Sequence, residues 1–174
     1  MQIAILGTGS VGRALADGLS AAGHTVRMGT RDPQTTMSRT EPDRFGTPPV
    51  SPWLAEHPGV SLVSFAEAAA SADLVVNATS GDVSLQALDA AGADSLRGKV
   101  LIDVSNPLDF SAGFPPTLFV KDTDSLGEQI QRAFPQARVV KTLNTMNAGL
   151  MLAPGRLSAP SAVFMSGDDE QAKQ

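Results

Sequence analysis

The 174-residue chain has no cysteine, which removes disulfides, thiolate metal sites and a cysteine nucleophile from consideration. Two histidines, His24 and His57, are too few for a histidine-rich metal centre, so no metal site is expected. Cationic excess is also missing. Thirteen Lys and Arg against 18 Asp and Glu give a formal charge of −5, the wrong sign for a general nucleic-acid binder. No apolar run approaches the length of a bilayer span. No basic leader with an apolar stretch and a small-residue cleavage site stands at the N-terminus, so a cytoplasmic location is expected. Neither a G-x-S-x-G elbow nor a P-loop occurs, and no His or Lys stands in an evident general-acid position at a strand end. Lys141 falls inside a predicted strand, where a structural and a functional role are both open.

What is present is the composition of one ordinary globular domain, 42% hydrophobic and 18% charged, and residues 1–174 are read as a single unit. Short β-branched runs alternate with alanine-rich amphipathic runs, the pattern of βαβ units around a parallel sheet. Strands are predicted at 2–6, 25–29, 60–65, 73–79, 99–105, 137–145 and 161–168. Helices are predicted at 10–22, near 66–72, near 83–91 and at 125–134. Residues 32–59 carry six prolines and are read as a long excursion, with at most a helical turn around Trp53–His57. A loop of that length in a small domain usually has a function. Residues 106–123 form a second irregular stretch. At the C-terminus, Asp168 and the acids after it resemble a helix start.

The sequence Gly7-Thr8-Gly9-Ser10-Val11-Gly12 fits G-x-G-x-x-G, and its setting gives it weight: it follows an apolar strand and opens an amphipathic helix. Gly7 permits the tight turn, Gly9 lets backbone approach a pyrophosphate, and Gly12 lets helix and strand pack closely. The helix N-terminus then offers unpaired N–H groups and partial positive charge to phosphate. The fold expected is therefore α/β, of Rossmann type, with a doubly wound, mainly parallel sheet in a three-layer αβα arrangement.

The second strand ends in Met28-Gly29-Thr30-Arg31-Asp32-Pro33. A site for NAD usually has an acidic residue here to accept from the ribose 2′-hydroxyl. Thr30 and Arg31 stand there instead, a hydroxyl and a guanidinium suited to a 2′-phosphate, which favours NADP(H). Arg39 and Arg44 on the following loop are read as solvated. Three stretches rich in amide and hydroxyl groups end later strands: 77–82, 105–110 and 143–149. Each alone is ordinary turn chemistry. At the ends of consecutive strands together they outline an uncharged ligand cleft. Hydride transfer between flat heterocycles needs stacking and dryness rather than a strong acid or base.

The segments 3–33, 72–79, 101–110, 125–131 and 137–148 together resemble the NADP oxidoreductases dependent on coenzyme F420. The resemblance implies a pyrophosphate cradle at Thr8, Gly9, Ser10 and Val11, and a 2′-phosphate held by Thr30 and Arg31. It places Asn77, Ala78 and Thr79 along the adenosine and ribose. Asn106, Pro107, Asn144, Thr145 and Met146 would border the nicotinamide. No catalytic acid or base is implied, because hydride would pass directly from nicotinamide C4 to deazaflavin C5. Coenzyme F420 or a flavin would be the small-molecule redox partner, and a homodimer is implied, with the portion of the family that helps form the deazaflavin pocket and pairs subunits expected beyond Gln174. The stretch 32–59 is longer than in the compact members. Two other readings stay open: a small hydroxy- or imino-acid dehydrogenase whose substrate domain lies elsewhere, and a non-catalytic NADP-binding sensor.

Overall fold

The first half of the chain runs β1 (Gln2–Leu6), α1 (Ser10–Ala21), β2 (Thr25–Thr30), α2 (Pro33–Met37), α3 (Val50–Glu56), β3 (Val60–Ser64), α4 (Phe65–Ala70) and β4 (Leu74–Asn77). The second half runs α5 (Ser84–Ala91), α6 (Ala93–Leu96), β5 (Val100–Asp103), β6 (Leu108–Asp109), β7 (Thr117–Leu118), α7 (Leu126–Ala133), β8 (Arg138–Thr142), α8 (Ala148–Met151) and β9 (Met165–Ser166). This is a computed structural model, describing residues 1–174 apart from the Pro154 side chain.

Seven strands form one sheet in the order β3-β2-β1-β4-β5-β8-β9. The first six are parallel, and the order reverses between β1 and β4, which is the doubly wound Rossmann arrangement. β9 closes the edge antiparallel to β8, pairing Thr142 with Met165. The predicted strand 161–168 is thus reduced to two residues. β6 and β7 make a separate antiparallel pair inside the loop 106–123.

Period-two alternation divides the core between the two faces of the sheet. Ala4, Leu6, Val75, Leu101 and Val139 point to the layer of α4, α5 and α7, against Phe65, Ala68, Leu88 and Ile130. Ile3, Ile5, Val26, Met28 and Val76 point to the layer of α1, α3 and α8, against Leu15, Ala16 and Met151. Helices on both faces make the three layers.

The proline-rich stretch holds more structure than its composition suggests. Pro33 occupies the first turn of α2 behind the cap Asp32, whose carboxylate accepts from the Thr35 amide at 2.8 Å. Pro52 falls in the first turn of α3. In a first turn a proline loses no hydrogen bond, so both helices form despite it. α3 is fastened to α1 by His57, whose ring stacks on Trp53 and whose Nε2 lies 3.3 Å from an Asp17 carboxylate oxygen. At the C-terminus residues 170–173 form a turn, not a helix, and it is the Asp169 carboxylate that accepts from Gln171 and Ala172 amides. No helix is long and apolar enough to cross a membrane among the described residues.

Candidate functional site

The C-terminal ends of the parallel strands form one edge, where ligands bind in sheets of this topology. The loop between β1 and α1 sits at its centre. Gly7 has φ +120°, and a Cβ there would lie 2.5 Å from the Ala78 carbonyl oxygen, so only glycine lets β1 and β4 approach this closely. A Cβ on Gly12 would lie 2.4 Å from the Gly7 carbonyl oxygen. Gly9 differs from both: a Cβ there would meet no atom within 4 Å. Gly9 faces space that the protein leaves open, and α1 begins at this point with no side-chain cap. Its first amides are therefore available to an anion. These residues fit a pyrophosphate.

Arg13, absent from the sequence expectations, fixes this loop. Its Nε donates to the Thr8 carbonyl at 2.9 Å, and its terminal nitrogens donate to the Pro48 and Pro49 carbonyls at 2.6 and 3.4 Å. Burial lowers the guanidinium pKa, and the nearby Asp43 charge opposes that shift. One side chain thus ties the glycine loop to the proline-rich excursion. The signal was a cation directly after Gly12, on the first turn of α1.

At the end of β2 the two expected phosphate ligands separate. Arg31 is exposed and free of ion pairs among the described residues, because Asp32 is engaged as the cap of α2. Thr30 is buried, and its hydroxyl lies 2.8 Å from that of Thr36. That pairing holds β2 to α2, a different use from the phosphate contact expected. Its cause is α2, which the sequence did not disclose.

Asn77 is likewise used internally. It is fully buried, donates to Ser84 Oγ at 3.1 Å and Asp103 Oδ1 at 2.9 Å, and accepts from the Thr79 hydroxyl at 2.7 Å. It shapes the turn that presents Ala78 and Thr79, both half-buried, and does not offer its own amide to a ligand. Asp103, another residue the sequence reading passed over, anchors this network. It is fully buried, accepts from the Ser105 hydroxyl at 2.6 Å and pairs with Lys141 Nζ at 2.9 Å. Lys141 also donates to the Ser105 carbonyl. The lysine therefore neutralises a buried carboxylate.

The later turns close the edge. A Cβ on Gly81 would sit 2.2 Å from the Asn106 carbonyl oxygen, so the turns after β4 and β5 are in backbone contact. Asn106 donates to the Asn144 carbonyl at 2.8 Å and accepts from the Asn144 amide at 3.1 Å, joining the turns after β5 and β8. Asn106, Pro107, Asn144 and Met146 are half-buried and Thr145 is exposed. The glycine loop, Ala78–Thr79, Asn106–Pro107 and Asn144–Met146 thus form a continuous rim.

Beyond Pro107 the rim opens into a cavity of about 460 Å³ lined by Arg44, Phe45, Asp82, Leu108, Phe110 and Phe119. Arg44, expected to be solvated, donates to both carboxylate oxygens of Asp82 at 2.8 Å. The proline-rich loop therefore reaches across to the turn after β4.

A crystal structure of a presumed F420-dependent NADP reductase from Arthrobacter sp. FB24 superposes with a TM-score of 0.94 at 59% identity, covering 99% of this chain and 76% of that one. The metalloreductase STEAP3 of Rattus norvegicus is 28% identical over 172 residues, 99% of this chain and 30% of that protein. A glycerol-3-phosphate dehydrogenase [NAD(P)+] of Mesorhizobium japonicum is 30% identical over 174 residues, 97% of this chain and 45% of that protein. The chain spans less than half the length of these two curated relatives. The model of the family described as NADP oxidoreductase, coenzyme F420-dependent, matches residues 2–107, the stretch that carries the glycine loop, Arg31 and the turns after β4 and β5. By that match, and by the 59% identity to the Arthrobacter protein, the chain belongs to the family of NADP oxidoreductases dependent on coenzyme F420.

Proposed function

We infer that the chain binds NADP(H) along the rim and passes hydride between the nicotinamide and a deazaflavin or flavin-like acceptor. One observation carries this reading: α1 starts uncapped with Gly9 facing open space, and Arg31, free of ion pairs among the described residues, follows β2 where an acid would mark an NAD site. The first amides of α1 hold the pyrophosphate, and Arg31 takes the 2′-phosphate. Asn106 and Asn144, locked together, set the wall beside the nicotinamide. Bound NADP(H) would supply or take up one hydride, the acceptor ring losing or gaining that hydride together with a solvent proton.

No side-chain acid is required, and Lys141 is already committed to Asp103. The hydroxy- and imino-acid alternative would draw its acid from a substrate domain outside this one, and finding such a residue there would favour it. The assay follows NADPH oxidation with coenzyme F420, FMN and FAD as acceptors. Turnover with at least one ring, faster with NADPH than NADH, is expected. NADPH binding without turnover on any ring would replace this reading with the sensor alternative.

A further inference from the structure

All three side-chain nitrogens of Arg13 donate to backbone carbonyls: Nε to Thr8 on the glycine loop, the terminal pair to Pro48 and Pro49 on the excursion. A peptide group is planar and trans, so its carbonyl and its N–H point in opposite directions. Because Arg13 holds the Thr8 carbonyl, the N–H of the same peptide, that of Gly9, is turned the other way. This N–H has no acceptor among the described residues, and it joins the first amides of α1 at the anion site.

Glycine makes the opposite orientation cheap. A half-turn of the Thr8–Gly9 peptide moves the Gly9 φ from −75° to about +105°, which a residue without Cβ tolerates. The Thr8 carbonyl oxygen would then stand where the N–H stood and turn a partial negative charge on a phosphate. The residue that leaves room for a pyrophosphate is thus also the one that needs a brace. The excursion supplies the far side of it. Proline fixes φ, so the segment that carries the Pro48 and Pro49 carbonyls is stiff. Upstream, the Asp43 amide donates to the Thr47 carbonyl, and the Phe45 and Thr47 amides donate to the Asp43 carboxylate, each at 2.9 Å. Downstream, α3 begins at Val50 and is fastened to α1 through His57.

We propose that Arg13 is a positioning residue for the dinucleotide. By tying the Thr8 carbonyl to the Pro48 and Pro49 carbonyls, it fixes the Thr8–Gly9 peptide with its N–H toward the pyrophosphate and makes the proline-rich excursion part of cofactor affinity. The inference rests on the dinucleotide reading above and not on the choice of acceptor. Asp43 acts at one remove, because its carboxylate shapes the turn that delivers Pro48 to Arg13. Arg13 serves the part that NADPH and NADH share, whereas Arg31 serves the 2′-phosphate.

The test is calorimetric titration of NADPH and NADH into the intact chain and into variants whose fold is first checked by circular dichroism. Arg13→Met is expected to weaken both dinucleotides equally, by about tenfold. Arg13→Lys keeps the charge but not the planar fork, and should lose nearly as much. Asp43→Ala should weaken both dinucleotides about threefold and add nothing to Arg13→Met, since the two act through one contact. Asp43→Asn keeps an accepting oxygen and should bind at least as tightly as wild type. Asp43 is exposed, so its two variants decide the matter if Arg13→Met does not fold, and full affinity in Asp43→Ala then overturns the proposal. Wild-type affinity in Arg13→Met overturns it as well. Full affinity in Arg13→Lys would leave charge alone as the cause, and a loss confined to NADPH would make Arg13 a reader of the 2′-phosphate. Additive losses with Asp43→Ala would remove the excursion from the account. Each of these three also sinks the proposal. If wild type binds neither dinucleotide, the dinucleotide reading itself fails. The expected losses without turnover on any ring would uphold Arg13 and reject the hydride reading.

Discussion

The two ends of the rim are made of different material. The phosphate end is backbone: Gly7 donates to the Gly29 carbonyl and Ala78 to the Leu6 carbonyl, both at 2.9 Å, and the free amides of α1 face outward. The other end is side chains from distant loops, standing beside a buried polar network of Asn77, Ser84, Asp103, Ser105 and Lys141. Backbone groups read what all dinucleotides share, a pyrophosphate. Side chains on loops can vary without disturbing the sheet, so under the proposed function the choice of ring would fall to that end.

The comparison breaks most severely at the buried network. Lys141→Met leaves Asp103 buried without its counter-charge and is expected to cost about 3–4 kcal/mol in denaturant unfolding. Adding Asp103→Asn should recover part of that loss, and a double-mutant cycle measures the coupling. Next comes Gly7→Ala, which combines a positive φ with a backbone clash and should cost about 3 kcal/mol in the same experiment. Arg31→Ala should leave stability alone and weaken NADPH binding by about 1.5–3 kcal/mol, with NADH binding unchanged. Equal losses for both cofactors would show that Arg31 does not read the 2′-phosphate.

Gly9→Ala sharpens the contrast within the glycine loop. A methyl group there meets no protein atom, and the φ of −75° suits any residue. Unfolding should not change, while NADPH affinity falls about tenfold, roughly 1.4 kcal/mol, because the methyl enters the space of the phosphates. Calorimetry on the folded variant decides it, and full affinity would place the pyrophosphate elsewhere.

The smallest effect lies away from both ends and serves as a control. The Arg132 hydrogen bond, aided by one from Gln129, holds the Asp124 carboxyl down to about 2, below its ordinary value of 3.8. A lowered folded-state value means that its stabilisation is complete above the ordinary value and vanishes as pH falls through about 2. Asp124→Asn should flatten the acid limb of the stability curve in that interval and leave both cofactor affinities unchanged. A shift in NADPH binding would show that the two regions are coupled.

Much of the phosphate end was readable from the chain itself, because a strand, a glycine loop and a helix contiguous in sequence build it. Arg31 could be read for the same reason, being local to the end of a strand. Thr30 was assigned a phosphate contact from its place at the end of a strand, and Asn77 a ribose border from the resemblance. Their partners, Thr36 and Asp103, lie on other elements, so the buried hydrogen bonds to those partners could not be read from the chain. Prolines hid α2 and α3, since a proline in a first turn looks from sequence like a break. Phe45 gave little notice beyond being a lone aromatic in a polar, proline-rich run.

Local pattern by itself determined the succession of the six parallel strands with α1, α4, α5 and α7, the position of the glycine loop and the missing acidic residue after β2, because each depends on neighbours within a few residues. Tertiary structure decided which polar groups are buried and used up, and which aromatic rings meet. Residues 45, 110 and 119 share one cavity only because Arg44 reaches Asp82 and Arg13 reaches Pro48. Those contacts join segments dozens of residues apart, and no periodicity along the chain encodes them.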